Sequence, residues 1–148
     1  MRGHALFKGY LGNPEASAAA VVDGWFRTGD LGTKDADDIV TIVDRKKDMI
    51  VRNGYNVYPS EVEDVMMRHP AVAFAAVFGL PDEARGQEVH AAVVLLDGHE
   101  ATPEELVAFV QERIAAYKFP RVVHLVEALP LLASGKPDRQ ALEALAGR

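Results

Sequence analysis

The chain has 148 residues, 49% hydrophobic and 26% charged, with a formal net charge of −6 and no cysteine. These values exclude a disulfide framework, a cysteine-ligated zinc site and wholesale disorder, and an acidic chain is a poor nucleic-acid binder. No apolar run approaches the ~20 residues of a membrane span, and Met1-Arg2-Gly3-His4 opens no signal-peptide core. The expectation is a soluble cytoplasmic protein.

Residues 1–45 are glycine-rich and carry one short helix signal. Asn13 supplies an N-cap, Pro14 the first helical position and Glu15 an acid facing the helix dipole. The Ala-rich stretch that follows stops at an Asp23-Gly24 turn, and Ile39–Val43 reads as a strand. Nothing in this segment supplies a core of its own, and Trp25 and Phe26 are expected to be exposed. It reads as an appendage.

From Lys46 onward the pattern becomes regular. Met49–Val51 and Tyr55–Tyr58 flank Arg52-Asn53-Gly54, which predicts a hairpin. Ser60 and Glu63 have capping-box spacing before the apolar helical positions Val62, Val65 and Met66, and Pro70 ends that helix. Val72–Phe78 reads as a strand apolar on both faces, and Val89–Leu96 as a second. Thr102-Pro103-Glu104-Glu105 opens the strongest helix, with Leu106, Phe109, Val110 and Ile114 as its stripe. Arg121–Val126 is a third strand, Pro130–Lys136 a loop, and a last short helix carries Leu142 and Leu145. The fold class is α+β, a small domain with a central sheet flanked by helices and a β-hairpin.

Three segments carry chemistry. In Gly24–Gly32, glycines around Thr28 and Asp30 let the backbone fold tightly about a carboxylate. That carboxylate suits the two hydroxyls of a ribose, or simply an Asx-type turn. In Asp44–Pro59, basic residues including Arg45 and Lys47 sit where the two regions meet. They suit a phosphate or ribose, or a solvated linker. Gly54 lets a narrow ligand pass along the backbone, or serves a tight turn alone. The third segment is Leu129–Arg139. A phosphate-binding P-loop fails here, because Pro130 and Pro137 stand where Gly and Ser or Thr are needed. What remains is Lys136, kept extended by Pro137, either a surface charge or a cation delivered to an anionic transition state. The five histidines show no metal-ligand spacing, and His90 and His124 read as structural.

In this order and spacing, the three segments resemble the C-terminal part of an adenylate-forming enzyme, the superfamily of acyl-CoA synthetases, peptide-synthetase adenylation domains and firefly luciferase. Asp44–Glu63, with Gly54-Tyr55-Asn56-Val57-Tyr58-Pro59 inside it, and Phe7–Leu11 with Asn13-Pro14-Glu15 are most similar to bacterial long-chain fatty-acid–CoA ligases. The resemblance implies that residues 1–45 are the end of a large adenylate-forming domain and residues 46–148 a lid domain. It implies ATP, a carboxylic acid and CoA as substrates. Asp30, Thr28 and Arg45 would bind the ribose and phosphate region of ATP or AMP. Lys47 matches the hinge, Gly54 and Tyr55 the pantetheine tunnel, and Lys136 the lysine that stabilises charge during adenylation. The chain departs from the pattern at Leu131 and Leu132, at Pro137 and at Val51, where some relatives carry a lysine.

The resemblance also implies a phosphate loop, magnesium ligands and acyl pocket in the large domain, so no metal site is expected here. The chain is then expected to be inactive alone, a fragment of the ligase or a stand-alone lid. The alternatives are a non-catalytic assembly module self-associating through its N-terminal tail, or a nucleotide-binding regulator.

Overall fold

The computed structural model describes residues 1–147. It divides into two compact units, Met1–Lys47 and Asp48–Arg148.

In the first unit, α1 (Pro14–Ala20) starts as its sequence dictates, with Asn13 Oδ1 accepting from the Ala16 N–H at 2.9 Å. Strands β1 (Val21–Val22) and β2 (Trp25–Phe26) form a ribbon about Asp23 and Gly24. Both turn residues have positive φ, 51° and 74°, the pairing a type I′ turn demands. Strands β3 (Asp30–Lys34) and β4 (Val40–Arg45) pair antiparallel. The sequence reading placed Asp30 in a loop; the structure makes it the first residue of β3. Cross-strand pairing is non-local, and the glycines around Asp30 mask it. No residue of this unit is buried. Trp25 is 52% exposed, whereas Phe26 is half-buried, its ring edge-to-face with Phe7.

The second unit opens with the expected hairpin, β5 (Ile50–Arg52) and β6 (Tyr55–Val57). Helix α2 (Pro59–Met66) and the long pair β7 (Val72–Asp82) and β8 (Gly86–Leu95) follow. Helix α3 (Pro103–Gln111), β9 (Val122–Leu125) and α4 (Arg139–Ala146) complete it. The sheet runs β6-β5-β8-β7, with β9 parallel to β8. Alternate residues of β7 and β8 enter two cores. Val77, Val89, Ala91 and Val93 pack with Val62, Val65 and Met66 of α2 and Leu106 and Val110 of α3. On the opposite face Ala76, Phe78 and Ala92 pack with Leu142 of α4. Two-sided burial explains the continuous apolar run of β7.

Thr102 and Glu105 form the expected capping box, with reciprocal bonds of 3.2 and 2.8 Å. Ser60, expected as the N-cap of α2, lies inside that helix. Helix α2 begins two residues earlier, with Tyr58 as N-cap and Pro59 as the first helical residue. The Glu63 carboxylate accepts from the Val77 N–H at 2.8 Å, a tertiary partner on the central strand. In α4 only Leu142 is buried; Leu145 is 51% exposed. Among the described residues no helix is long and apolar enough to cross a membrane.

Candidate functional site

The structure gathers the expected site residues into separate groups, one in the first unit and two in the second. In the first unit, Thr28, Asp30 and Arg45 come together. The Asp30 N–H donates to Thr28 Oγ1 at 3.1 Å, and the Lys46 N–H to the Gly29 carbonyl at 2.8 Å. Gly29, at φ 77°, allows the bend between them. Asp30 lies directly opposite Arg45 in the β3–β4 register, and Arg45 Nε is 3.6 Å from Asp30 Oδ1. A partly exposed carboxylate fixed on a strand end, with a guanidinium beside it, offers an acceptor for vicinal hydroxyls and a donor for a phosphate. Lys47 follows in an exposed turn as the last residue of the first unit.

In the second unit, Gly54 and Tyr55 belong to the β5–β6 turn. Asn53 and Gly54 have φ of 51° and 78°, so a type I′ turn alone accounts for the glycine. A Cβ added at Gly54 would meet nothing within 4 Å, which leaves the outer surface of the turn open. Tyr55 stacks on Tyr117, ring centroids 4.7 Å apart. Lys118, next in the chain, donates to both Glu61 carboxylate oxygens at 2.7 Å. That hydrogen bond, with the Glu61 charge, raises the Lys118 pKa above its ordinary value against the opposing effect of burial.

The turn is held from behind by residues the sequence reading did not single out. Arg52, the one buried charged side chain among the described residues, makes a bidentate pair with Glu88. The Asn53 N–H donates to the Arg85 carbonyl at 2.9 Å. The available signal was an arginine in an otherwise apolar strand, directly before an Asn-Gly turn.

Lys136 sits on a separate hairpin. Gly135 donates its N–H to the Leu132 carbonyl at 2.9 Å, and Leu132 donates to the Lys136 carbonyl at 2.8 Å. Leu131 bridges Pro137. With Gly135 at φ 78°, this is a three-residue loop closed by a bulge. Lys136 is exposed, at a bend, and the loop around it is ordered by its own hydrogen bonds. Two residues beyond Pro137, Arg139 pairs with Glu63 and Asp48, contacts no sequence pattern pointed to.

His90 and His124 also come together. Their Nδ1 and Nε2 atoms are 3.1 Å apart, with the rings stacked beside Phe78. Among the described residues no group of three or more His, Cys, Asp or Glu is placed to hold a metal ion.

Comparison with known proteins places this geometry in a family. Residues 61–136 match the family model of the AMP-binding enzyme C-terminal domain, a stretch that ends at Lys136. The chain is 44% identical over 142 residues to a long-chain-fatty-acid–CoA ligase of Bacillus subtilis, covering 96% of this chain and 25% of that protein. It is also 44% identical over 134 residues to a feruloyl-CoA synthase of Amycolatopsis, covering 90% of this chain and 27% of that one. Among solved structures it resembles the o-succinylbenzoate CoA synthetase of Bacillus subtilis in complex with its acyl-adenylate intermediate. The TM-score there is 0.90 at 38% identity, over 96% of this chain and 29% of that chain. The chain thus spans about a quarter of the length of the curated relatives it matches. With the matched residues covering half of its length and ending on the Lys136 hairpin, the chain belongs to the AMP-binding enzyme C-terminal domain family.

Proposed function

We propose that this chain is the C-terminal portion of an ATP-dependent acyl-CoA ligase of the cytoplasm. In this reading residues 1–45 complete a large adenylating domain and residues 46–148 form its mobile lid. The observation that carries it is the family match over residues 61–136 together with Lys136 held exposed at the end of that match.

The chemistry has two steps. A carboxylate oxygen attacks the α-phosphorus of ATP, forming the acyl–phosphate bond as the bond to pyrophosphate breaks. The CoA sulfur then attacks the acyl carbonyl, forming the thioester as AMP leaves and the thiol proton passes to solvent. Asp30 accepts hydrogen bonds from the ribose hydroxyls, with Thr28 and Arg45 holding the adjacent ribose and phosphate region. Lys136 brings a fixed cation to the charge developing on the α-phosphate and carboxylate, an effect worth roughly 10²–10³ in rate. Lys47 is the hinge about which the lid changes conformation between steps. Gly54 and Tyr55 line the path of the pantetheine arm in the second. Closure of this kind also keeps water from a hydrolysable adenylate. Magnesium accompanies ATP, and its ligands belong to the large domain; no step is assigned to a metal held by the residues described here.

The substrate is proposed to be a fatty acid, supported by the Asp44–Glu63 segment and by the long-chain ligase relative. The relatives' names are those of ligases and synthases, which favours this reading over a self-associating, non-catalytic module. Acid-dependent ATP–pyrophosphate exchange tests it, with this chain joined to its large domain and offered long-chain fatty acids, ferulate and oxalate. Exchange led by the fatty acids, and none from the 148-residue chain alone, is expected. Preference for ferulate would refute the substrate class, and robust exchange by the chain alone would refute the division of labour.

A further inference from the structure

Lys136 and Arg139 are separated by two residues that leave little freedom. Proline fixes φ at position 137, and Asp138 is locked at the head of α4, accepting from the Ala141 N–H at 3.2 Å. The Asp138 N–H also donates to the Pro130 carbonyl at 2.8 Å, closing the base of the hairpin. Whatever holds Arg139 therefore holds Lys136. The hairpin itself, residues 131–136, is exposed throughout and has no apolar anchor of its own.

Arg139 does have anchors. Its Nη2 is 3.2 Å from Glu63 Oε1 on α2, and its Nε is 3.9 Å from Asp48 Oδ2. Glu63 Oε1 is fixed in turn by the Val77 N–H of the central strand β7. All three side chains are largely buried, so the node is shielded from solvent far more than a surface ion pair. Asp48 is the residue next to Lys47.

We propose that Arg139 is the positioning residue for Lys136, tying its hairpin through Glu63 and Asp48 to α2, β7 and the segment beside Lys47. The lysine is thereby carried as part of the body of the second unit rather than on a loose loop. The inference rests on the reading of Lys136 given under the proposed function. A cation acting on a developing charge must be held to a fraction of an ångström, and exposed hairpins achieve this only when clamped at their base.

The chain contains no cysteine, so two spin labels can be placed without background, at Ser134→Cys on the hairpin and, in place of the exposed Asp64 of α2, at Asp64→Cys. The distance distribution between them should be narrow in the parent. It should be about twofold wider in Arg139→Gln, with an intermediate width in Arg139→Lys, and the far-ultraviolet circular dichroism should be unchanged. If Arg139→Gln fails to fold, Asp48→Asn removes one arm of the node and should still widen the distribution. An unchanged width in a folded variant overturns the proposal. With the chain joined to its large domain, Arg139→Gln should lower kcat of adenylation about tenfold at nearly constant KM for ATP, with partial rescue by Arg139→Lys. A widened distribution with normal adenylation would leave the tether standing and refute the role given to Lys136.

Discussion

Arg52 on β5 and Glu88 on β8, 36 residues apart in the chain, meet in a bidentate ion pair directly behind the Asn53-Gly54 turn. Burial works to raise the Glu88 pKa, but the Arg52 hydrogen bond, the Val89 N–H and the charges of Arg52 and Arg85 outweigh it, and the net shift is downward. The pair's contribution is therefore present above the ordinary carboxylate range and lost as pH falls through the depressed value. Removing one partner strands a buried charge, so Arg52→Met or Glu88→Gln should each cost about 3–5 kcal/mol in urea unfolding of the chain. The double replacement Arg52→Met with Glu88→Leu should recover most of that loss. Single variants as stable as the parent would show that the pair is not what fixes the turn.

His90 and His124 set a second pH dependence at higher pH. Burial lowers both imidazole pKa values; for His90 the neighbouring His124 charge adds to this and Glu88 opposes it. The unfolded chain then takes up protons before the folded chain does. Stability is full above the ordinary imidazole value and declines as pH falls below it, until the lowered folded values are reached. Urea midpoints measured from about pH 8 to about pH 5 should fall more steeply for the parent than for His90→Asn/His124→Asn. Parallel slopes would contradict the pairing.

Gly54 and Gly135 form a matched pair of tests. Both have φ of 78°, and a Cβ at either meets nothing within 4 Å, so alanine introduces backbone strain without a clash. Each change should cost about 1–2 kcal/mol of stability. Their functional effects should diverge. In the ligase, Gly54→Ala should slow thioester formation, and Gly135→Ala should slow adenylation through the displaced Lys136 hairpin. Indistinguishable effects on the two half-reactions would remove the distinction between the two hairpins.

The elements most legible in the sequence are those decided within a few residues. The Asn13 and Thr102 caps, the Asn53-Gly54 turn and the two-faced strand β7 all follow from local spacing. Glu63 shows the limit of that logic: Val77 and Arg139 bind its carboxylate from 14 and 76 residues away, which no local spacing announces. Strand β3 escaped notice for the same reason, since Asp30 becomes a strand residue only by pairing with Arg45. The chemical residues Asp30, Gly54 and Lys136 stood out by their neighbours in sequence. Their supports, Arg52, Glu88 and Arg139, are defined by tertiary contacts, which spacing along the chain does not encode.

The role of Lys136 is tested most directly by separating the two half-reactions in the ligase that contains this chain. Lys136→Ala should reduce ATP–pyrophosphate exchange by roughly 10²–10³ while thioester formation from supplied acyl-adenylate changes little. Equal losses in both steps would contradict the assignment of Lys136 to adenylation.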